Sequence, residues 1–205
     1  MKTIVLASGN QGKLVELGTL LGALDLTVVA QGDHGVADCD ETGLTFVENA
    51  LIKARHAARA TGLPALADDS GLCVAALAGA PGLYSARYAG RHGDDAANNK
   101  RLLAELHDVS ETERDAYFYC CLVLLRHAAD PSPIIAEGRW HGRILRQPRG
   151  DRGFGYDPLF QPLDSAASAA ELDIDDKNRL SHRGQAMVLL RDQLQREPWR
   201  MLKTP

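Results

Sequence analysis

Several features that would place a chain in a function class at once are scarce or missing here. There are four cysteines in 205 residues, Cys39, Cys73, Cys120 and Cys121, and no two form a CxxC pair. That spacing argues against a zinc site or a disulfide framework and for buried thiols in a reducing compartment. Cys120 and Cys121 are neighbours, and on a strand they would point to opposite faces. Lys and Arg number 23 against 27 Asp and Glu, a formal net charge of -4, so the basic excess of a nucleic-acid-binding or membrane-surface protein is absent. No apolar run approaches the roughly 20 residues of a membrane span. The opening MKTIVLASGN turns polar too soon for a signal peptide and reads as a first strand. Repeats, low-complexity tracts and an obvious linker are also lacking. These absences lead to the expectation of a cytosolic protein with neither a membrane nor a nucleic acid as partner.

What is present suits a well-packed folded domain. Hydrophobic residues make up 45% of the chain, enough for a core that needs no covalent staples. The expected organisation is one α/β domain over residues 1–196 with a tail at 197–205. Lys2 to Ala7 is a short β-branched run and predicts a buried strand. A turn at Ser8 to Gly12 follows, and then leucines 14, 17, 20, 21 and 24 recur at helical spacing. Leu26 to Ala30 predicts a second strand, and strand-loop-helix-strand is the opening of an α/β fold. Thr45-x-x-Glu48 is a capping box ahead of a helix from Phe46 to about Ala60, closed by Gly62 and Pro64. Ala65 to Ala67 leads into Asp68-Asp69-Ser70-Gly71, read as a strand end, with another strand at Leu72 to Leu77. Gly79 to Gly93 predicts an ordered loop, and Asn98 to Leu106 a helix. Ala116 to His127 is the strongest strand, and Pro133 to Arg139 and His141 to Leu145 read as two more. Gly150 to Gly155 is a bend, and Ser181 to Leu194 a last amphipathic helix.

Six segments could carry chemistry. Ser8-Gly9-Asn10-Gln11-Gly12-Lys13 joins a strand to a helix. Its glycines admit an anion, the helix N-terminus offers free amides, and Lys13 adds a charge. It is not a Walker A loop, which needs GxxxxGK[ST], and a plain strand-to-helix turn would have the same spacing. Asp68 and Asp69 are adjacent carboxylates suited to a magnesium ion or to orienting a water, or else they form an Asx-type turn. Asp40 and Glu41 lie in an acidic loop that could give a second metal ligand or could simply be solvated. Asn49 and Lys53 share a face of the capped helix. Gly153-Phe154-Gly155-Tyr156-Asp157-Pro158 puts two aromatics and a carboxylate on a bend, able to stack on a base and hydrogen-bond its edge, or to anchor a tight turn. Lys177 and Ser181-His182-Arg183 gather cations at a helix N-terminus, where basic residues are not stabilising unless an anion is bound.

Taken together, LASGNQGKLVEL at 6–17, ETGLTFVENALIKARHAA at 41–58, ALADDSGLCVAALAGAPGLYSARYAG at 65–90, GFGYDPLF at 153–160 and SHRGQAM at 181–187 resemble the inosine triphosphate pyrophosphatase family, the non-canonical purine NTP pyrophosphatases, from Lys2 to about Leu194. The resemblance implies an α/β fold with a central mixed β-sheet and flanking helices, two lobes around a nucleotide cleft, and a homodimer. It implies Mg2+-dependent hydrolysis of dITP, ITP and XTP between the α and β phosphates. By position it assigns Ser8, Gly9, Asn10, Gln11, Gly12 and Lys13 to the phosphates, Asp69 to catalysis and metal, Glu41 to the metal with Asp40 as an alternative, and Ser70 to the nucleotide. Phe154, Gly155, Tyr156, Asp157, Lys177, His182 and Arg183 complete the nucleotide site, with Lys53 as a further cation. Arg152 stands where the family often has glycine. The related Maf-type pyrophosphatases carry a serine-rich turn and paired arginines, which SGNQGK does not match. A non-catalytic nucleotide-binding module would keep the cations and aromatics but would have no need of Asp68 and Asp69.

Overall fold

The computed structural model describes residues 2–21 and 26–196. In chain order the elements are β1 (Lys2–Ala7), α1 (Gln11–Leu21), β2 (Leu26–Ala30), α2 (Phe46–Thr61), β3 (Ala65–Val74), α3 (Asp95–Glu105), β4 (Asp115–Leu125), β5 (Ile134–Ile144), β6 (Phe160–Pro162), α4 (Ile174–Leu180) and α5 (His182–Arg196). The strands form one six-stranded sheet in the order β2-β1-β3-β4-β5-β6. β1 is parallel to β2 and to β3, with Lys2 opposite Leu26 and Val5 opposite Ala65, whereas β5 and β6 run antiparallel. The sheet is therefore mixed, and each parallel pairing is reached through a helical crossover, as parallel strands require.

The chain divides into two compact units. The first comprises residues 1–69, 120–138 and 183–205, and the second residues 70–119 and 139–182. In the first unit, Ile4, Leu6, Leu66, Cys120, Leu122 and Leu124 share a core with Leu17 of α1 and Ala186, Met187 and Leu190 of α5. Along β1 (Ile4, Leu6) and β4 (Cys120, Leu122, Leu124) these residues are two apart, so each strand turns a single face to this core. On α2, Ala50, Ala54, Ala57 and Ala58 are buried as the helical spacing predicts. Thr45 accepts from the Glu48 amide, and Glu48 in return accepts from the Leu44 amide and the Thr45 hydroxyl, while Gly62 closes the helix at φ 70°. In the second unit, Leu72, Val74, Phe118, Trp140 and Phe160 pack with Leu102 of α3 and with Leu106, the residue that caps its end. Phe118 and Trp140 both meet the Phe160 ring at tilted angles, with centroids 4.7 and 5.2 Å away.

Four sequence expectations change. Ala65–Val74 is one strand, so Asp68 and Asp69 lie within it rather than at its end. Ile134–Ile144 is likewise one strand, not two. Its buried and exposed residues alternate without a break, and Gly142 is where a side chain would not fit, since a Cβ there would come 2.3 Å from the Gln161 carbonyl. The loop at 79–93 contains a 3-10 helix, Gly82–Arg87. The last helix is preceded by the short α4, capped by Asp173. Leu24 and the tail at 197–205 lie outside the described residues.

Candidate active site

β1 ends at Ala7, and the turn that follows is shaped by its own side chains. Ser8 Oγ accepts from the Asn10 amide at 3.2 Å and Asn10 Oδ1 from the Lys13 amide at 3.1 Å. Asn10 thus occupies part of the helix N-terminus that a ligand anion would approach. Gly9 is exposed, and a Cβ there would come within 2.6 Å of Asp38, so the backbone lies close to the loop after β2. One turn into α1, Lys13 Nζ reaches Asp68 Oδ1 at 2.6 Å.

Being consecutive on a strand, Asp68 and Asp69 project to opposite faces, and each meets a different set of cations. Asp68, 1% exposed, takes Lys13 on one oxygen, and Arg183 Nε (2.9 Å) and the Cys120 thiol (3.3 Å) on the other. Arg183 also donates through Nη1 to Glu16 at 2.7 Å. Burial works against the Arg183 charge, but Asp68 and Glu16 more than offset it, so the guanidinium stays charged at any accessible pH. Asp69 faces α2 and accepts from Lys53 Nζ at 2.6 Å. The same ammonium donates to Glu41 in the acidic loop at 2.8 Å. That loop is anchored by Asn49, buried one turn before Lys53, whose Oδ1 accepts from the Gly43 amide at 2.8 Å. Burial pushes the Asp69 carboxyl above the ordinary carboxylate range, with Lys53 and Lys13 pulling the other way. Lys53 is held charged, because Asp69 and Glu41 together outweigh its burial.

The second unit holds another group. Lys177 Nζ donates to Asp157 Oδ2 at 2.7 Å and lies 4.9 Å from the centre of the Phe154 ring, a cation–π distance. The Phe154 amide donates to the same carboxylate oxygen at 2.9 Å. Gly153 adopts φ +75°, and a Cβ there would strike Asp157 Oδ2 at 2.1 Å, which accounts for the glycine. Tyr156 is buried, with its hydroxyl donating to the Ser85 carbonyl at 2.9 Å. His182, 4% exposed, stacks on Phe118 at 4.9 Å and 11°. Ser70, half-buried, follows Asp69 on β3.

The sequence-derived residues therefore fall into two sets. Lys13, Glu41, Lys53, Asp69 and Arg183 belong to the first unit with the 8–13 turn; Ser70, Phe154 to Asp157, Lys177 and His182 belong to the second. Sequence reasoning missed Glu16. Its signal was the i, i+3 spacing from Lys13 on a helix whose next residue, Leu17, is fully buried. Three cations, Lys13, Lys53 and Arg183, face four carboxylates, Glu16, Glu41, Asp68 and Asp69. The positive charge of the first set is thus already matched by the protein itself.

Comparison with known proteins matches residues 4–193 to the model of the Ham1 family. The chain belongs to the Ham1 family. A relative from Xanthomonas axonopodis pv. citri named dITP/XTP pyrophosphatase is 61% identical over 194 residues, 95% of this chain and 98% of that protein. A relative of the same name from Shigella flexneri is 55% identical over the same shares. A solved HAM1 protein from Coxiella burnetii superposes on this Ham1-family chain with a TM-score of 0.88 at 50% identity, covering 96% of this chain and all of that one. The Staphylococcus aureus Ham1 protein gives 0.84 at 39%, with the same coverage.

Proposed function

We propose that this chain hydrolyses non-canonical purine nucleoside triphosphates, namely dITP, ITP and XTP or dXTP, to the monophosphate and pyrophosphate, and so cleanses the nucleotide pool. Relatives that match 95% of the chain carry the name dITP/XTP pyrophosphatase. What supports the chemistry is the meeting of Lys53 with both Asp69 and Glu41 beside a strand-turn-helix loop that bears Lys13.

Asp69 and Glu41 are hard oxygen donors drawn to one small cation, the Lys53 ammonium, which makes them a fitting pair for magnesium. Among the described residues no group of three or more His, Cys, Asp or Glu is placed to hold a metal, so water and phosphate oxygens would complete the shell. Magnesium held there would neutralise charge building up on the phosphates. The charge balance supports the need for it, since three cations against four carboxylates leave a net negative cluster facing a triphosphate.

The 8–13 turn offers backbone amides to phosphate oxygens. Lys13, whose side chain is 15% exposed while that of Asp68 is sealed, presents its ammonium to the substrate from the open end of its ion pair. Lys53 steadies Asp69, which orients the attacking water and takes its proton. The water oxygen bonds to the α-phosphorus, the bond to the α,β-bridging oxygen breaks, and pyrophosphate leaves with the electron pair. Phe154, Asp157, Lys177, His182 and Ser70 serve the base and sugar. Donors from His182 or backbone amides meet the oxygen at position 6 of hypoxanthine or xanthine; Arg183, which the motif also offered, is committed to Asp68 and Glu16. Adenine would set its amino group against them and leave buried groups unpaired.

The deciding assay is product identity. ITP with magnesium should yield pyrophosphate, activity should vanish with EDTA, and kcat/KM should be highest for ITP and XTP. Release of single phosphates, or equal values for ITP, XTP, GTP and ATP, would overturn the reading. No helix among the described residues is long and apolar enough to cross a membrane. Cytosolic location and a homodimer complete the proposal, the dimer to be checked by sedimentation.

A further inference from the structure

α3 grips the aromatic bend at a single residue. The Gly155 amide donates to Asp95 Oδ2 at 2.7 Å, and the Gly155 carbonyl accepts from Asn99 Nδ2 at 2.8 Å. Asp95 and Asn99 are one helical turn apart and so present one face. Between them they satisfy both backbone polar groups of Gly155, which holds φ +62°. The neighbouring polar residues of the helix do other work. Asp94 caps it through the Ala97 amide, and Asn98 braces the preceding segment at the Ala89 amide and Ala86 carbonyl. Gly155 is flanked by Phe154, which carries the Lys177 contact, and by Tyr156, which is rooted in the core.

We propose that Asp95 and Asn99 are positioning residues for nucleotide recognition. Working from a capped helix, they fix Gly155 so that the Phe154 ring and the Asp157 carboxylate are in place before the nucleotide arrives. Groups on a helix hold a geometry more tightly than a loop holds itself, and a pre-ordered bend spares the ordering that binding would otherwise require. The pair therefore governs KM and base choice rather than the chemical step. The inference rests on the assignment of Phe154 to Asp157 to the nucleotide.

The test uses the full chain with ITP and GTP, comparing D95A, N99A, D95N and F154A by kcat, KM and amide hydrogen exchange at Gly155. In D95A and N99A, KM for ITP should rise about tenfold, as loss of one well-placed hydrogen bond predicts. Their kcat should stay within about threefold, and the preference for ITP over GTP should shrink. In D95N an amide oxygen can still accept from Gly155, so KM should return to within about threefold of wild type. Exchange at the Gly155 amide should quicken in D95A and not in D95N, a change a purely structural role would not confine to this bend. Should D95A fail to fold, D95S, which suits a first helical turn but withdraws the carboxylate, carries the same comparison. Unchanged KM in D95A and N99A with a raised KM in F154A overturns the positioning role alone. Unchanged KM in all three overturns the assignment of the bend to the nucleotide, and the positioning role with it.

Discussion

Asp68 and Asp69 should fail in different ways when each is changed to asparagine. The Asp68 side chain is fully sealed, with Lys13 at 2.6 Å and Arg183 at 2.9 Å. Removing the charge leaves two cations facing a neutral amide, and breaking a buried ion pair costs roughly 3–5 kcal/mol. Arg183 keeps Glu16 at 2.7 Å, which points to the lower end, about 3 kcal/mol. For a chain of this size that lowers Tm by roughly 6–12 °C. Asp69 has the opposite sign. Its folded-state carboxyl is raised, chiefly by burial. The stability linked to it is therefore complete at low pH and declines as pH rises through that raised value, so a permanently neutral asparagine loses nothing at pH 7. Lys53 still has Glu41, and stability should stay within about 1 kcal/mol of wild type, a Tm shift of a few degrees at most. Turnover shows the reverse order, with D69N losing roughly 10²–10⁴-fold in kcat as expected for a removed general base. Calorimetric melting at pH 7 and a coupled pyrophosphate assay on the same preparations read both axes. If D68N melts with the wild type, or D69N turns over normally, the division of labour is wrong.

Other outcomes follow from the same geometry. In the metal-free protein the Asp69 carboxyl should titrate above the ordinary aspartate range, because burial raises it, and added magnesium should lower it; an NMR titration from pH 3 to 9 with and without magnesium checks this, and an ordinary value without the metal would refute it. E41Q should raise the magnesium concentration for half-maximal activity by about tenfold, near the low end expected when a metal's surroundings are weakened, while folding is retained. In the native protein only the half-buried Cys39 should react with a thiol reagent, since Cys73, Cys120 and Cys121 are buried and the Cys121 thiol is pushed up to about 12, mainly by burial; mass spectrometry after labelling reads it, and denaturant should release all four.

Much of the first unit was legible because local signals and tertiary demands agree there. KTIVLA and LTVVA became strands with the expected bounds, and Thr45, Glu48 and Gly62 marked the ends of α2. The continuity of β3 was not legible, since two aspartates, a serine and a glycine in a row read as a turn. They stay extended because Lys13, Arg183 and Lys53, distant in sequence, satisfy the carboxylates. Gly71 also fits where a Cβ would meet the Gly82 carbonyl at 2.3 Å. α4 escaped notice because it has seven residues and little apolar pattern. At the site, the motifs named the charged residues but not their pairings. Cations gathered before α5 suggested a waiting anion, yet Arg183 already has Asp68 and Glu16, and Lys177 has Asp157. A sequence shows which charges exist, and only the fold shows which are already answered.

The placement of Asp68 and Asp69 on successive positions of one strand makes their separation of roles depend on odd and even counting. A strand inverts its facing with every residue, so inserting or deleting one residue upstream in β3 would turn Asp68 toward Lys53 and Glu41 and Asp69 toward Lys13 and Arg183. Length change in this stretch is thus tolerable only in twos, and a protein engineer moving the site to another sheet must carry that parity along with the side chains.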